Sequence, residues 1–255
     1  MATKNRPGKR APATKNVVAA ARGPAKRNSS RVAWDSIKSL IGVIIIFLVI
    51  RTFFIEAYRI PSGSMEPTLL IGDFLFVNNL AFGPHIPFTH INLPGYSDPV
   101  RGKVAIYQSP DASDGNPIVV KRIVGVPGDT LYMRNGLLYV NGVPKPLPVP
   151  LASPPVAPNE TNPEFAWQTR VDLPNSRFGP PPAVPTHDNW GPFVIPPDHY
   201  FSLGDNRYDS KDARYYGFVP RANFRGRPLF IYFSIDFVNV FDWRIRWGRI
   251  GQGIH

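Results

Sequence analysis

Cysteine is absent from the 255 residues of the chain. Its absence excludes disulfide bonds, cysteine-ligated zinc, iron–sulfur clusters and thiol nucleophiles together. It does not decide the compartment, because a chain without disulfides can work on either side of a membrane. Histidine is scarce as well, with five residues and no His-Glu-x-x-His zinc motif. We therefore expect no metal and no other cofactor.

Long uninterrupted helical arrays are disfavoured, because 30 residues are proline. Short β-prone runs separated by turn signals fill the chain from residue 57 onward, without internal repeats. Two Asn-Gly pairs, at 135–136 and 141–142, bracket one apolar run, which is a strong hairpin signal. The pattern predicts an all-β fold, antiparallel and partly barrel-like. The predicted strands lie at 74–77, 104–107, 118–124, 130–134, 137–140, 200–203 and 229–234.

Positive charge is concentrated in the first part of the chain. The net charge is +11, and residues 1–35 carry nine basic side chains and one acidic, a net charge of +8. This segment lacks a sustained apolar period and is rich in small and polar residues, so it is predicted to be a disordered cytoplasmic tail. Since little net charge remains for the rest, nucleic acid is not expected as a partner.

An apolar segment follows the tail, and residues 36–56 are predicted to form a transmembrane anchor. The uncharged stretch 39–50 alone has the length of a signal-peptide core or a buried helix. The segment lengthens to 19 residues between 37 and 55, with Lys38 and Arg51 near its ends, where their side chains can reach the interfaces. No convincing small-x-small cleavage site follows. The basic tail predicts a cytoplasmic N-terminus and a domain delivered across the membrane.

The chain beyond the anchor divides by composition. Residues 57–143 and 200–255 are predicted to form the β domain. Between them, residues 144–199 contain 16 prolines and no helical period. We interpret this stretch as a variable insertion held in extended surface loops, with a ligand for proline-reading domains as the alternative.

A candidate nucleophile lies just beyond the predicted anchor, in Ser62-Gly63-Ser64 between two prolines. Gly63 permits a tight turn and the close approach of a substrate, although such a sequence is also typical of a linker. A serine nucleophile needs a base, and no histidine stands in a recognisable triad context. A Ser/His/Asp triad stays open at this point, because triads are assembled in space.

Lys121 is the candidate base. It lies within an apolar predicted strand, where period-two alternation places Val119 and Ile123 on its own face. Burial on that face would lower the amine pKa from about 10.4 toward neutrality and produce a usable general base. The alternative is an edge-strand lysine that faces solvent.

A polar, turn-forming loop at 204–214 follows another predicted strand. One interpretation is a charged loop closed by ion pairs. The other is a rigid loop whose Ser210 hydroxyl orients a neighbouring base.

These three segments occur in order after the apolar segment. They are Ile60-Pro-Ser-Gly-Ser-Met-x-Pro-Thr-Leu69, Val120-Lys-Arg-Ile-Val-Gly-Val-Pro-Gly-Asp129 and Gly204-Asp-Asn-Arg-x-x-Ser-x-Asp-x-Arg214. Together they resemble the motifs of type I signal peptidases, the bacterial leader peptidases. The resemblance implies a membrane-anchored serine endopeptidase that removes Ala-x-Ala signal peptides from exported preproteins through an acyl-enzyme. It implies a single-pass protein of the bacterial cytoplasmic (inner) membrane, with the catalytic domain on the periplasmic face.

The same resemblance implies a role for each matched residue. Ser64 would be the nucleophile and Lys121 the general base of a Ser/Lys dyad. The Ser62 hydroxyl and the Ser64 main-chain N–H would form the oxyanion hole, and Ser210 would orient the lysine. Structural support through ion pairs would come from Asp205, Arg122, Asp212 and Arg214. Shallow pockets for small substrate residues would be lined by Tyr58, Ile60, Met65, Leu69 and Val120.

Two positions depart from the family pattern. Val119 stands where an aromatic residue is common and Ala213 where serine is common, but neither removes a catalytic group.

The expected partners are preprotein signal peptides, the phospholipid bilayer and the protein-export translocon. Two alternatives stay open: a protease of similar fold with one dedicated client, and a non-catalytic membrane-tethered β-domain that binds partners through its proline-rich insertion.

Overall fold

The computed structural model describes residues 29–53, 55–84, 93–146, 160–239 and 242–255. The chain divides into two compact units, residues 1–45 and 46–255. The helices are α1 (Ser29–Phe53) and α2 (Ala213–Tyr216), with 3₁₀ turns at Asn79–Ala81, Ala112–Asp114, Pro163–Arg170, Arg221–Asn223 and Trp247–Arg249. The strands are β1 (Ile55–Arg59), β2 (Asp73–Asn78), β3 (Val104–Gln108), β4 (Ile118–Gly125), β5 (Thr130–Arg134), β6 (Leu137–Val140), β7 (Val143–Lys145), β8 (Trp190–Val194), β9 (His199–Leu203), β10 (Val219–Pro220), β11 (Phe224–Asn239) and β12 (Asp242–Ile245).

Helix α1 begins at Ser29, inside the segment 1–35 that was predicted to be disordered. The sequence from 29 onward has no proline or glycine before Gly42, so nothing interrupts a helix there. Residues 1–28 of the predicted tail lie outside the described part of the chain. Within the described ranges, no helix combines the length and the apolar character that a membrane crossing demands. The transmembrane anchor predicted at 36–56 is therefore not confirmed.

Most of the strands form one antiparallel sheet, in the order β1-β2-β11-β3-β4-β9-β10, with β12 paired to β11. The 16-residue strand β11 joins β2 to β3, and its register shifts against β2 between Pro228 and Phe230 and again between Ile231 and Phe233. Such irregularities bend a strand and increase its twist. The sheet curves into a half-barrel, which confirms the all-β, antiparallel part of the fold prediction.

A second, four-stranded antiparallel sheet has the order β7-β6-β5-β8. Both predicted hairpins are present in it: Asn135 and Gly136 join β5 to β6, and Asn141 and Gly142 join β6 to β7. All four turn residues have positive φ, as a two-residue type I′ turn requires.

The described parts of the proline-rich stretch 144–199, residues 144–146 and 160–199, do not consist of extended surface loops as predicted, and residues 144–145 belong to β7. Strand β8 pairs with β5, and Trp190, Phe193 and Ile195 are fully buried in the core under this sheet. Pro192 obscured the strand in the sequence, because proline cannot donate to a β-ladder. It is accommodated where the register of β8 against β5 shifts, between the partners of Leu131 and Met133. Residues 147–159 of the same stretch lie outside the described residues.

Candidate active site

Ser64 lies on a tight turn that follows β1. The Gly63 carbonyl accepts a hydrogen bond from the Glu66 amide at 3.0 Å, and the Met65 carbonyl accepts one from the Leu69 amide at 3.0 Å. Met65 and Leu69 are buried and hold the turn against the core. The sequence Ser-Gly-Ser is therefore an ordered turn and not a linker.

Lys121 lies on β4, an interior strand of the large sheet, between β3 and β9. Its side chain is only 3% exposed, which rules out the alternative of a solvent-facing edge lysine. The Nζ atom lies 2.6 Å from Oγ of Ser64, within hydrogen-bond distance. Burial lowers the pKa of the Lys121 amine to about 8, although the nearby Asp212 carboxylate opposes this shift. The structure thus brings the two predicted dyad residues together.

A cavity of about 130 Å³ opens on one side of this pair. Four of the five residues expected to form substrate pockets line it, together with Ser62, Ser64 and Lys121; the four are Tyr58, Ile60, Met65 and Val120. Leu69, the fifth, is absent from the lining. It is fully buried in the hydrophobic core, where it belongs to the same cluster as Ile60 and Met65, so its assignment to the pocket stays a prediction. Val119, one of the two departures from the family pattern, also lines the cavity.

A second cavity, of about 430 Å³, shares Ser62, Ser64 and Lys121 with the first and extends along a more polar surface. Ser210 lines it and is buried, but its Oγ makes no hydrogen bond within the described residues. The expected contact that would orient Lys121 is therefore not formed in this conformation.

Gly204 has a packing role that the sequence did not reveal. A Cβ atom at this position would lie 2.5 Å from the main-chain oxygen of Ser64 and would also collide with the Ser210 hydroxyl. Only glycine lets the polar loop approach the serine turn this closely. Asn206 joins the same two segments. Its main-chain N–H donates to the Ser64 carbonyl at 3.1 Å, and its side-chain Nδ2 donates to the Gly63 carbonyl at 3.2 Å.

The first predicted ion pair, between Arg122 and Asp205, is formed and buried. Arg122 donates from Nε and Nη2 to the two carboxylate oxygens at 2.8 and 2.7 Å. The Thr68 hydroxyl also donates to Asp205, at 2.5 Å. Since Thr68 follows the serine turn and Arg122 follows Lys121, this carboxylate joins the segments of the nucleophile and the base.

The second predicted pair, between Asp212 and Arg214, is buried as well. Arg214 donates from Nε and Nη2 to the carboxylate at 2.9 Å each, and the Gly204 amide donates to it at 3.0 Å. Burial alone would raise the pKa of Asp212, but the charge and hydrogen bonds of Arg214 hold it below its usual range. Asp212 also caps α2, since it accepts from the Arg214 amide.

Asp73 is another buried carboxylate near the serine turn that sequence reasoning missed. It accepts hydrogen bonds from Ser234, from the Leu70 amide and from Arg249, whose Nη2 lies 2.6 Å away. Arg249 in turn donates to the Thr68 carbonyl at 2.9 Å. The C-terminal segment therefore braces the turn that carries Ser64. An acidic residue at the start of a β-prone run was the available signal.

The described histidines do not form a triad with Ser64. His187 is buried and bonded to Tyr215 and Arg214, His199 contacts the Pro197 carbonyl, and none of the described histidines lines either cavity. His255 is described and lines neither cavity, whereas His85 and His90 lie outside the described residues. Within the described ranges there is also no cluster of three or more potential metal ligands.

Comparison with known proteins identifies the family. The family model described as "Signal peptidase, peptidase S26" matches residues 33–233. The chain belongs to the peptidase S26 family of signal peptidases. It is accordingly an enzyme, and the resemblance found in its motifs is confirmed.

Several curated members of this family are similar over most of their length. The signal peptidase I of Pseudomonas aeruginosa is 36% identical over 214 residues, which cover 77% of this chain and 71% of the relative. The probable signal peptidase I-2 of Synechocystis is 31% identical and covers 80% and 74%. The signal peptidase I of Buchnera aphidicola from Acyrthosiphon pisum is 30% identical and covers 85% and 81%.

Removal of the Asp205 carboxylate should destabilise the protein strongly. Asp205→Ala leaves the buried Arg122 guanidinium without its carboxylate, which typically costs about 3–5 kcal/mol. Urea denaturation of the full chain in a non-ionic detergent measures this loss. The matched control is Asp98→Ala, which removes the partner of Arg221 from a pair whose carboxylate is 76% exposed. It should cost below about 1 kcal/mol. Equal losses in the two variants would contradict the bracing role.

Proposed function

We propose that this signal peptidase cleaves preproteins with a Ser64/Lys121 dyad. The observation that supports the proposal is the 2.6 Å approach of a buried lysine amine to the hydroxyl of a serine on an ordered turn. A serine hydroxyl needs an adjacent base to become a nucleophile, and the described part of the chain offers no histidine at the site. An amine whose pKa is about 8 supplies a useful neutral fraction near pH 7.

The neutral Lys121 amine accepts the Ser64 proton while the serine oxygen bonds to the carbonyl carbon of the scissile peptide. The tetrahedral intermediate collapses when the lysine ammonium gives that proton to the leaving amine. The mature N-terminus leaves, and an ester between Ser64 and the signal peptide remains. A water molecule then attacks the ester while Lys121 accepts its proton. The ester bond breaks as the lysine ammonium returns that proton to Oγ of Ser64, which releases the signal peptide and regenerates the enzyme.

The oxyanion that forms on the carbonyl oxygen needs donors already aimed at it. We assign this role to the Ser62 hydroxyl and the Ser64 main-chain N–H, because Ser62 lines both cavities beside the nucleophile. One such donor contributes about 3–4 kcal/mol to catalysis. Ser210 is assigned to orient the lysine, since its buried hydroxyl has no other partner in the described structure and lines the cavity that contains Lys121.

The cavity of about 130 Å³ is proposed to accept small signal-peptide residues, as in an Ala-x-Ala cleavage site. Its walls include the large side chains of Tyr58, Ile60 and Met65. Bulky residues would clash with these walls, so the pocket selects by exclusion.

Membrane attachment through residues 36–56, with the N-terminus in the cytoplasm and the catalytic unit on the periplasmic face of the inner membrane, is part of the proposal. It rests on the basic residues before Ser36 and on the apolar run after it. Large apolar side chains of α1 are also exposed all around the helix, where a soluble helix would show a polar face. They are Ile37, Leu40, Ile41, Val43, Ile44, Ile45, Ile46, Phe47 and Leu48.

Loss of either dyad side chain should abolish cleavage. Ser64→Ala and Lys121→Met are each expected to slow the cutting of an Ala-x-Ala preprotein in detergent by on the order of 10⁴-fold or more. Gel assay and mass spectrometry of the products measure this loss. Lys103→Met, at an exposed lysine outside both cavities, is the matched control and should retain activity. Substantial turnover by Lys121→Met would refute the dyad.

The Lys121→Met variant should remain folded at pH 7, because it replaces a buried amine that is mostly charged at that pH with an apolar side chain of similar size.

A preprotein with phenylalanine in place of the cleavage-site alanine tests the pocket in the same assay. Unchanged cleavage of this substrate would contradict selection by exclusion.

Activity should follow the neutral form of Lys121. Below its pKa of about 8 the amine is protonated and cannot accept the serine proton, so kcat/KM is expected to fall about tenfold for each pH unit. As pH rises through 8, the neutral form dominates and the profile should level. Initial rates between pH 6 and pH 9 (about three units, at constant ionic strength) measure the profile. A rate that stays flat below pH 8 would show that another group is the base.

Membrane attachment predicts that the full chain stays in the membrane pellet during alkaline carbonate extraction. Ile44→Glu/Ile45→Glu places two charges at the middle of the apolar run, and each opposes insertion by about 3 kcal/mol. This variant should be released to the supernatant, whereas Ile44→Leu/Ile45→Leu should not. Release of the unmodified chain would contradict membrane attachment. Digestion of the catalytic unit by a protease added only on the cytoplasmic side would contradict the proposed orientation.

A further inference from the structure

We infer that the protein has a second ligand site, for a phosphate monoester group, in a cavity separate from the peptidase site. The cavity has a volume of about 270 Å³. Residues 122–124 of β4 line it, together with residues of β6 and β7 and of the polar loop, whereas neither Ser64 nor Lys121 does. The inference does not depend on the proposed dyad.

The lining of this cavity is strongly basic. Four cationic side chains contribute to it and no carboxylate does; the cations are Arg101, Arg122, Lys145 and Arg207. Ion pairs neutralise two of them, since Asp129 binds Arg101 and Asp205 binds Arg122. The other two have no ion-pair partner among the described residues.

Arg207 is the more informative of these two cations. Its side chain is only 7% exposed, and within the described structure its hydrogen bond is from Nε to the Gly204 carbonyl at 3.0 Å. Burial lowers the pKa of its guanidinium to about 10, although the charges of Asp212 and Asp205 oppose this shift, so the group is still charged at neutral pH. A buried charge without a direct ion pair is costly, and a ligand that pairs with it would offset that cost.

The chain itself supplies no counterion from the neighbouring segment. Residues 147–159 follow Lys145 and Pro146 directly and contain no aspartate or glutamate. The two cations that lack an ion pair therefore match a ligand with two negative charges.

A phosphate monoester fits this requirement better than a carboxylate. It carries nearly two negative charges at pH 7 and offers three acceptor oxygens. The planar guanidinium of Arg207 can bind two of these oxygens in parallel, and Lys145 can bind the phosphate as a point charge at the exposed rim. The remaining walls are apolar, formed by Ile123, Val124 and Leu138, and they suit the organic part of such an ester. A carboxylate would leave one cation unpaired.

The test measures binding of glycerol 3-phosphate to the full chain in non-ionic detergent by isothermal titration at constant ionic strength. Saturable binding is expected, and Lys145→Gln should weaken it at least about fivefold, since one charge-assisted bond is lost. Lys103→Gln, at an exposed lysine outside the cavity, should leave it unchanged. The inference would be overturned if binding did not saturate up to about 50 mM glycerol 3-phosphate, or if both variants weakened it equally.

Two further measurements make the result specific. Arg207→Gln should remove binding. If Arg207→Gln does not fold, the comparison of Lys145→Gln with the unmodified chain decides the question. Binding to the unmodified chain should weaken as pH falls from 7.5 to 5.5, because the ester loses its second charge near pH 6, about its second pKa. Binding that is indifferent to this change would contradict a dianion site.

The source of the phosphate is distinguished by competition against bound glycerol 3-phosphate. Short-chain phosphatidic acid presents the same monoester on a lipid, whereas inorganic phosphate represents a soluble source. Displacement of glycerol 3-phosphate by phosphatidic acid at lower concentration than by inorganic phosphate would assign the site to a lipid headgroup, and the reverse order would assign it to a soluble phosphate. Displacement by neither would overturn the inference.

Discussion

The desolvation of one amine is the constraint on which the site depends. Lys121 lies on an interior strand of the large sheet and is almost fully buried, so its charged form loses the hydration that stabilises an ammonium in water. A carboxylate in direct contact would restore the charge and raise the pKa again. Asp212, the carboxylate that acts most strongly on the Lys121 pKa, is instead bonded through both oxygens to Arg214 and through one of them to a main-chain amide. Arg214 thereby limits the effect of Asp212 on the lysine.

The Ser64 hydroxyl must lie at a defined position beside this amine, and buried ion pairs hold the two segments in that position. Asp205 contacts both Thr68 on the serine segment and Arg122 beside the lysine, while Asn206 holds the serine turn through two main-chain oxygens. Buried ion pairs contribute less to stability than their geometry suggests, because both groups give up hydration. Their value here is positional, because they hold the loop 204–214 against the turn, and Gly204 permits this close approach.

Much of the fold and the centre of the site were predictable from local sequence. Hairpins at the two Asn-Gly pairs follow from the φ angles that those residues tolerate, and Lys121 stands out because lysine avoids the apolar face of a strand. The strand around Phe193 was missed, because its proline and the surrounding proline-rich composition resemble a loop, and only pairing with β5 and burial against Phe201 make it a strand. The assignment of Leu69 to a pocket rests on its motif alone, since the structure places Leu69 in the core.

The sequence by itself determined the order of the motifs, the alternation that puts an amine on an apolar face, and the chemistry available once cysteine is excluded. These are properties of residue type and spacing, which local backbone geometry converts into structure without long-range contacts. The tertiary structure alone decided that Ser64 and Lys121, 57 positions apart, lie 2.6 Å from each other. Among the described residues, it also decided that the Ser210 hydroxyl lacks a hydrogen-bond partner and that Arg207 is buried without a direct ion pair. Such facts depend on which distant segments pack together, and burial and pairing are properties of that packing.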